Sequence, residues 1–529
     1  MSRVIPLGNN EIETVIDRFD VGITNDPRDT RDGVNQVITN FDILTNPRKI
    51  TPYRNSEDGH SAGSTTLMRN WCIGINASGG YSLYGLGRQT ANDRPLIQYK
   101  DLTTGASTDL DDNGWAETAN NTSARTTTSY NLFVFYRKTA KIYGAHSGYI
   151  YAYDPTGSAA ITVGEQALTY THITQGIVHS EDDILYVGGY NSAGSAGTRS
   201  FILANNNGSW DTSALALPDH LIPTSVFESG NWLGIVCADV NGVGSSKLIL
   251  WDRDSISWNE MYDLGEGSAI IGEDLQGTIV TLSQSGGTVS SFTGIPSSVR
   301  HKNKLTIKFF PSTGSDTIEL EGGTSNELTL PLGKQKINNR LYFQMSIILN
   351  GTVREGLWSI GRNKQGQWAL VHERTPNNDT ALTSGIMRGF FILGDYVFQA
   401  YVDNGTYAVS KTNDEESYAT SIIETVKYNA GDSSKKKDLL GFSVMTDPLD
   451  DSPAASVVVK YKKDNESSYT TFMTHDTDGA ISDSAVNTEA TGAVLPKDYK
   501  EISFRIESTG AVITGYSFRE KITNKRPYN

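Results

Sequence analysis

Four tryptophans, Trp115, Trp210, Trp258 and Trp368, each follow a β-rich apolar run and a polar turn. The copies read Ile97 to Lys100 with Asn113-Gly114-Trp115, Phe201 to Ala204 with Asn205 to Trp210, Leu248 to Trp251 with Asp252 to Trp258, and Leu357 to Ile360 with Asn363 to Trp368. Successive tryptophans lie about 95, 48 and 110 residues apart, so a period near ~50 runs through the chain, with some copies lacking the indole. A period of this length built from short strands restricts the chain to repeat architectures.

Apolar strands recur with the same rhythm. They begin near Cys72, Leu132, Ile184, Leu233, Thr278, Tyr342 and Tyr396. Tyr418 stands where the seventh copy wants its aromatic. Three or four strands per period is the arithmetic of a propeller blade. One blade cannot bury both faces, whereas a ring buries each against the next. The expected fold is all-β: a β-propeller of about seven blades over 66–434, with an insertion over 297–335 carrying strands 305–310 and 317–320. The turn aromatics Trp115, Trp210, Trp258, Trp368 and Tyr418 are expected to fill the wedge between blades rather than to bind a ligand.

Composition agrees. Glycine is abundant at 51 residues and proline sparse at 16, which suits strands and tight turns. No stretch holds apolar residues at helical spacing. The net charge is −15 with scattered acids and one tight cationic run, Lys435 to Lys437, which excludes wrapping of nucleic acid through phosphate neutralisation. Cys72 and Cys237 lie far apart in apolar runs and are expected to be buried thiols. No apolar run reaches the ~20 residues of a membrane span. The opening residues lack a signal-peptide core, so synthesis in the cytoplasm is expected.

Residues 1–65 read as a polar arm punctuated by Asp26-Pro27, Asn46-Pro47 and Thr51-Pro52, without a core of its own. Within it Asp26, Asp29 and Asp32 alternate with Arg28 and Arg31. Interleaved arginines favour ion pairing or a docking patch over a cation site. After Lys437 the rhythm changes. Strands at 456–462, 469–473, 501–507 and 511–519 suggest a C-terminal β-sandwich over 435–529.

No motif carries catalysis, so no cofactor and no metal is expected. Gly59-His60-Ser61-Ala62-Gly63 has the spacing of a nucleophile elbow but follows a polar run instead of a strand. The turns Asn205 to Trp210 and Asn363 to Trp368 resemble the structural Asp-box of sialidase-like propellers, with Asn in place of Asp. The sialidase signature is absent, since Phe504-Arg505-Ile506 is followed by Glu507.

Phe19-Asp20-Val21-Gly22 through Asp26-Pro27-Arg28-Asp29, then Asn40-Phe41-Asp42-Ile43 and Pro47-Arg48 through Pro52-Tyr53-Arg54, is similar to the opening of tailed-bacteriophage virion proteins with a β-propeller body, of the tail nozzle or hub type. The resemblance implies a structural, non-enzymatic protein of the virion tail. It implies a ring of copies around the DNA exit path, contacts with other tail or portal-side proteins, and DNA passing transiently without specific binding. The assembly arm would be carried by Asp26, Arg28, Asp29, Arg31, Phe41, Arg48, Tyr53 and Arg54. Two other readings stand beside it: a tail-tip adhesin for a host surface glycan or protein, suggested by 25 tyrosines, and a glycan-cleaving propeller with paired carboxylates.

Overall fold

The computed structural model describes residues 3–523 apart from 9, 25, 30, 32–33, 47, 59–65, 90–93, 103–115, 121–130, 147–148, 157–160, 168–169, 243, 286–303, 312–316, 322–332, 350–351, 377–381, 383–385, 404–405, 413–417, 450–454, 477–484 and 488–493. The described residues form strands and turns with no helix. The chain divides into two compact units: residues 57–356 with 381–412, and residues 1–56 with 357–380 and 413–529.

The first unit is a succession of antiparallel sheets, all but the last built from strands consecutive in sequence. Sheet one holds Thr66–Ile75, Tyr81–Gln89, Arg94–Asp101 and Ala116–Asn120. Sheet two holds Phe133–Tyr136, Lys141–His146, Tyr149–Tyr153 and Ile161–Ala167. Sheet three runs from His172–Ile173 to Ser209–Leu217, and sheet four from Leu221–Ser229 to Glu260–Glu266. Sheet five holds Ser268–Leu275, Thr278–Ser285, Lys304–Phe310 and Thr317–Glu321. A hairpin of Lys334–Ile337 and Arg340–Leu349 follows. The last sheet orders Ile386–Leu393, Tyr396–Asp403 and Thr406–Thr412, with Ser56–Asp58 at its edge.

Burial lies between neighbouring sheets. Leu86 and Ile97 of sheet one meet Ile142 and Tyr151 of sheet two. Tyr143 and Ile150 of sheet two meet Leu185 and Leu203 of sheet three. Tyr186 and Ile202 meet Val226 and Ile249 of sheet four, and Phe227 and Val236 meet Ala269 and Ile279 of sheet five. Trp71 and Leu83 of sheet one pack on Phe398 and Ala400 of the last sheet. Each interface hides one face of two sheets, and no sheet could bury that area alone.

One expectation is corrected here. Strands 305–310 and 317–320 are not an insertion: Ile279↔Phe310 through Ser285↔Lys304 and Lys304↔Glu321 through Lys308↔Thr317 make them the third and fourth strands of sheet five. A long connection separates them from their partner, so local spacing hid the pairing. The apolar runs at Ile184, Leu233, Thr278, Tyr342 and Tyr396 belong to second strands, each preceded by a first strand. Those first strands mix polar and charged residues with apolar ones, as in Ser268–Leu275, where Glu273 and Asp274 are buried.

The arm is corrected as well. Val34–Thr39 is buried along all six residues. It pairs with Ser421–Thr425 on one side and meets Trp368–Arg374 on the other. The order continues through Ile502–Thr509 and Ser456–Lys463 to Thr470–Asp476. Glu11–Ile16 lies between Arg3–Gly8 and Ile513–Thr523, followed by Lys436–Thr446 and Ala485–Asn487. Phe442 and Phe518 of this second sheet face Phe504 of the other at 4.6 and 5.0 Å. Residues 1–56 therefore share a core with 413–529, and a boundary at 434 does not separate them. Buried Asn35, Gln36 and Thr39 gave the central strand its polar look.

The Asn-for-Asp turns have a physical reason at Asn363. Its Oδ1 accepts from the N–H groups of Gln365 and Gln367 at 3.0 and 2.9 Å, the work a carboxylate would do. Its Nδ2 faces the Asp20 carbonyl and Gln367 Oε1, both at 3.3 Å. A carboxylate there would oppose two acceptors. Asn363→Asp is expected to cost about 1–3 kcal/mol, read as a lower urea midpoint. Equal stability would remove this account of the turn.

Candidate functional site

The unit that joins both ends of the chain contains a cleft of about 230 Å³. Val4, Ile16, Val34 and Val426 give it an apolar lining, and Arg28, Asp29, Arg31, Lys427, Tyr428 and Tyr516 its polar one. Backbone order positions the charges. Asp26 Oδ1 caps the Arg28 N–H at 2.9 Å, and Asp29 Oδ1 caps the Arg31 N–H at 2.9 Å. These two side-chain turns hold Arg28 and Arg31 on one loop.

Arg28 forks onto Glu501, with Nε at 2.8 Å and Nη2 at 3.1 Å. Lys427 Nζ stands 3.7 Å from the same carboxylate. The Glu501 hydrogen bond, then its charge, holds the Arg28 guanidinium above its ordinary value. Arg31 forks onto Asp29 at 2.7 and 3.0 Å. Burial pushes the Asp29 carboxyl up, but the Arg31 contacts outweigh it, and the group sits below the usual carboxylate range. Tyr428 and Tyr516 share a hydrogen bond of 2.8 Å between their hydroxyls. The Arg28 and Arg31 side chains remain 63% and 57% exposed. Three cations, Arg28, Arg31 and Lys427, meet three carboxylates, Asp26, Asp29 and Glu501. The forks are spent on Asp29 and Glu501, and what both guanidinium groups offer outward is an exposed face.

The remaining arm residues scatter through the same unit. Phe41 is fully buried and pairs with Pro52. Arg48 lies exposed in a turn where Asn46 Oδ1 accepts its N–H. Tyr53 donates its hydroxyl to Glu373 Oε2 at 2.5 Å. Glu373 also accepts from Ser359. The Arg54 carbonyl accepts from Arg374, whose guanidinium lies 5.7 Å from the Tyr53 ring. Burial lowers the Arg374 guanidinium to about 10. Arg54 is also bridged to Tyr418. The structure thus assembles Arg28, Asp29 and Arg31 with Lys427 and Glu501, and Tyr53 and Arg54 with Glu373, Arg374 and Tyr418. Sequence reasoning missed Lys427, Glu501, Glu373 and Arg374 as partners, because 473 residues separate Arg28 from Glu501.

Trp210 and Trp258 pack between consecutive sheets, whereas Trp368 and Tyr418, expected on blades, lie in the unit that joins both chain ends, because residues 357–380 and 413–529 fold there. Trp210 meets the Tyr143 ring edge-on at 5.8 Å, against the core between sheets two and three. Trp258 packs on the core between sheets three and four. Trp368 lies under the Arg362 guanidinium at 4.5 Å. Trp115 and the Gly59 to Gly63 motif lie outside the described residues. Both cysteines are buried free thiols, and burial pushes them up, out of the range of reactive thiols.

No family model matches the chain, and no curated protein matches it. Among solved structures it is similar to the β-propeller domain of Myceliophteria thermophila Cps50 (Swd1), at 9% identity and a TM-score of 0.37, over 67% of this chain and 98% of that one. It is similar to the Dos1 propeller at 12% identity and a TM-score of 0.35, over 68% of this chain and 95% of that one.

Proposed function

We propose that the chain is a structural assembly protein, and that its place is the tail of a tailed bacteriophage, as a ring of copies in the nozzle or hub around the DNA exit path. In this reading the unit of consecutive sheets is a seven-bladed propeller. Ile386–Leu393 lies against Thr66–Ile75, and Ser56–Asp58 finishes the last sheet, which is how a ring of blades removes its open end. The two sheets of the other unit, meeting through Phe442, Phe504 and Phe518, are read as a β-sandwich made from both ends of the chain.

The observation that carries the reading is the use made of the arm's charges. Arg28, Arg31 and Tyr53 are fixed by carboxylates, while two of the three keep exposed guanidinium faces. A rigid lip with exposed arginine faces on a protein of charge −15 is suited to specific docking between acidic bodies that otherwise repel one another. The acidic remainder would discourage DNA from sticking as it passes.

Symmetry-averaged electron microscopy of particles tests this. The expected result is several copies arranged as a ring at the tail. Absence of the chain from purified particles would overturn the proposal, and binding of the purified chain to host glycan or to intact cells would point to the adhesin instead.

A further inference from the structure

Ile513–Thr523 carries a buried row on its inner face, Tyr516, Phe518 and then Glu520. The third place calls for an apolar side chain, and a wholly buried glutamate stands there. The register sets Ile12 on one side of it and Leu439 on the other, and residues directly opposite share a face. Tyr499 donates its hydroxyl to Glu520 Oε1 at 2.8 Å. Glu520 Oε2 is buried and meets no donor among the described residues. An ionised carboxyl in such a place is far costlier than a neutral one.

The charged and titratable groups around it are few. Tyr499 is fully buried, and Lys436–Thr446 brings the buried Lys437. The Lys437 ammonium donates to the Asp432, Lys435 and Lys500 carbonyls at 2.7, 3.0 and 2.8 Å. Lys436 and Asp438 alternate to the other face of that strand, Glu11 and Glu13 to the other face of Glu11–Ile16, and Arg519 and Lys521 to the other face of Glu520's own strand. Burial pushes the Glu520 carboxyl above its ordinary value, against the Tyr499 hydrogen bond and the Lys437 charge. Burial also pulls Lys437 below its ordinary value. Burial and then the Glu520 charge push Tyr499 up.

The two sides of Glu520 are not equally held. Leu439 belongs to a strand paired from Lys436↔Thr523 to Thr446↔Ile513, with Ala485–Asn487 beyond it. Ile12 belongs to a shorter one, paired from Glu11↔Lys521 to Ile16↔Tyr516. Beyond it lies the edge strand Arg3–Gly8, whose Val4, Ile5 and Leu7 are exposed. A strand pair that buries so little is the part of a sheet that opens at least cost. Lifting Ile12 away brings water to the carboxyl. We propose that Glu520 is a proton-controlled latch: while its carboxyl is neutral, Arg3–Gly8 and Glu11–Ile16 stay on the sheet, and when it ionises they come away from Ile513–Thr523. A carboxyl held above its ordinary value in the closed sheet supports closure fully below the usual carboxylate range. That support is lost as the pH rises through the closed-state value.

Hydrogen exchange of the full chain, resolved by mass spectrometry and corrected for the intrinsic pH dependence of exchange, tests the latch. Between about pH 5 and about pH 9, protection of residues 11–16 in the wild type is expected to fall at least tenfold. Residues 436–446 are expected to stay protected. The Lys437 shift has the opposite sign, so the comparison is with Glu520→Gln, which keeps the lysine and cannot ionise; its profile is expected to be flat. Tyr499→Phe removes the donor that favours the ionised form in the closed sheet and is expected to deepen the fall. A flat wild-type profile, equal loss at 11–16 and 436–446, or a Glu520→Gln profile as steep as wild type would each overturn the latch. The first two outcomes need no variant, so the test holds even where a substituted chain fails to fold.

Discussion

Lys334→Met is expected to destabilise the unit of consecutive sheets by about 3–5 kcal/mol, the cost of leaving a buried charge without its partner. Lys334 Nζ lies 2.8 Å from Glu273 Oε2, and both side chains are almost wholly buried. The same ammonium donates to the Val226 carbonyl at 3.0 Å and the Gly272 carbonyl at 2.5 Å, and lies 5.1 Å from the Phe227 ring. Burial pulls the lysine below its ordinary value, and the Glu273 charge works against that pull. One side chain therefore ties the first strand of a hairpin to the first strands of sheets four and five. Its neighbour Gln335 pairs through both amide atoms with the Ile392 backbone, at 2.9 and 2.8 Å. Two adjacent residues thus fasten three sheets to the hairpin.

Lys336 Nζ reaches Glu273 only at 3.3 Å and is half exposed, so it replaces little of the lost charge. The double change Lys334→Met with Glu273→Leu removes both charges and is expected to recover most of the loss. Urea unfolding of the wild type and the two variants decides it. A single variant within about 1 kcal/mol of wild type would mean that the pair is screened and contributes nothing.

That node shows what the sequence hid. Lys334 and Gln335 sit where local spacing suggested an insertion, because a short strand rich in lysine carries no apolar signal. Val34–Thr39 was hidden in the same way by its amides. Part of the repeat was legible, since sheets one to five are each made from consecutive strands, but the copy from Leu357 to Trp368 and the aromatic Tyr418 belong to the other unit. The polar turns were legible too, down to the asparagines that cap them. The cleft was legible only by half. The alternation of Asp26, Arg28, Asp29 and Arg31 marked one wall, and the wall that receives it comes from Lys427 and Glu501. Contacts across hundreds of residues leave no period to read, and only an alignment or a structure supplies them.

The unit that joins both chain ends depends on a third, internal segment, and Trp358 is where that dependence is greatest. Trp358→Ala is expected to cost about 3–5 kcal/mol, as for other large aromatic side chains removed from a core. The indole is fully buried and stacks on the His372 ring at 4.6 Å. The His372 Nδ1 lies 3.0 Å from the Thr39 hydroxyl, and Thr39 is the residue where the N-terminal strand Val34–Thr39 meets Trp368–Arg374. Emptying the indole site loosens the histidine, and the histidine positions the join between segments 34–39 and 368–374. The expected result is uneven. Residues 1–56 and 413–529 should be cleaved by protease much faster in Trp358→Ala than in wild type, while sheets one to five resist as before, because the two units have separate cores. Trp358→Phe keeps a ring against His372 and is expected to lose less than half as much. Equal protection of the chain ends in wild type and Trp358→Ala would show that the terminal unit holds together without its internal segment.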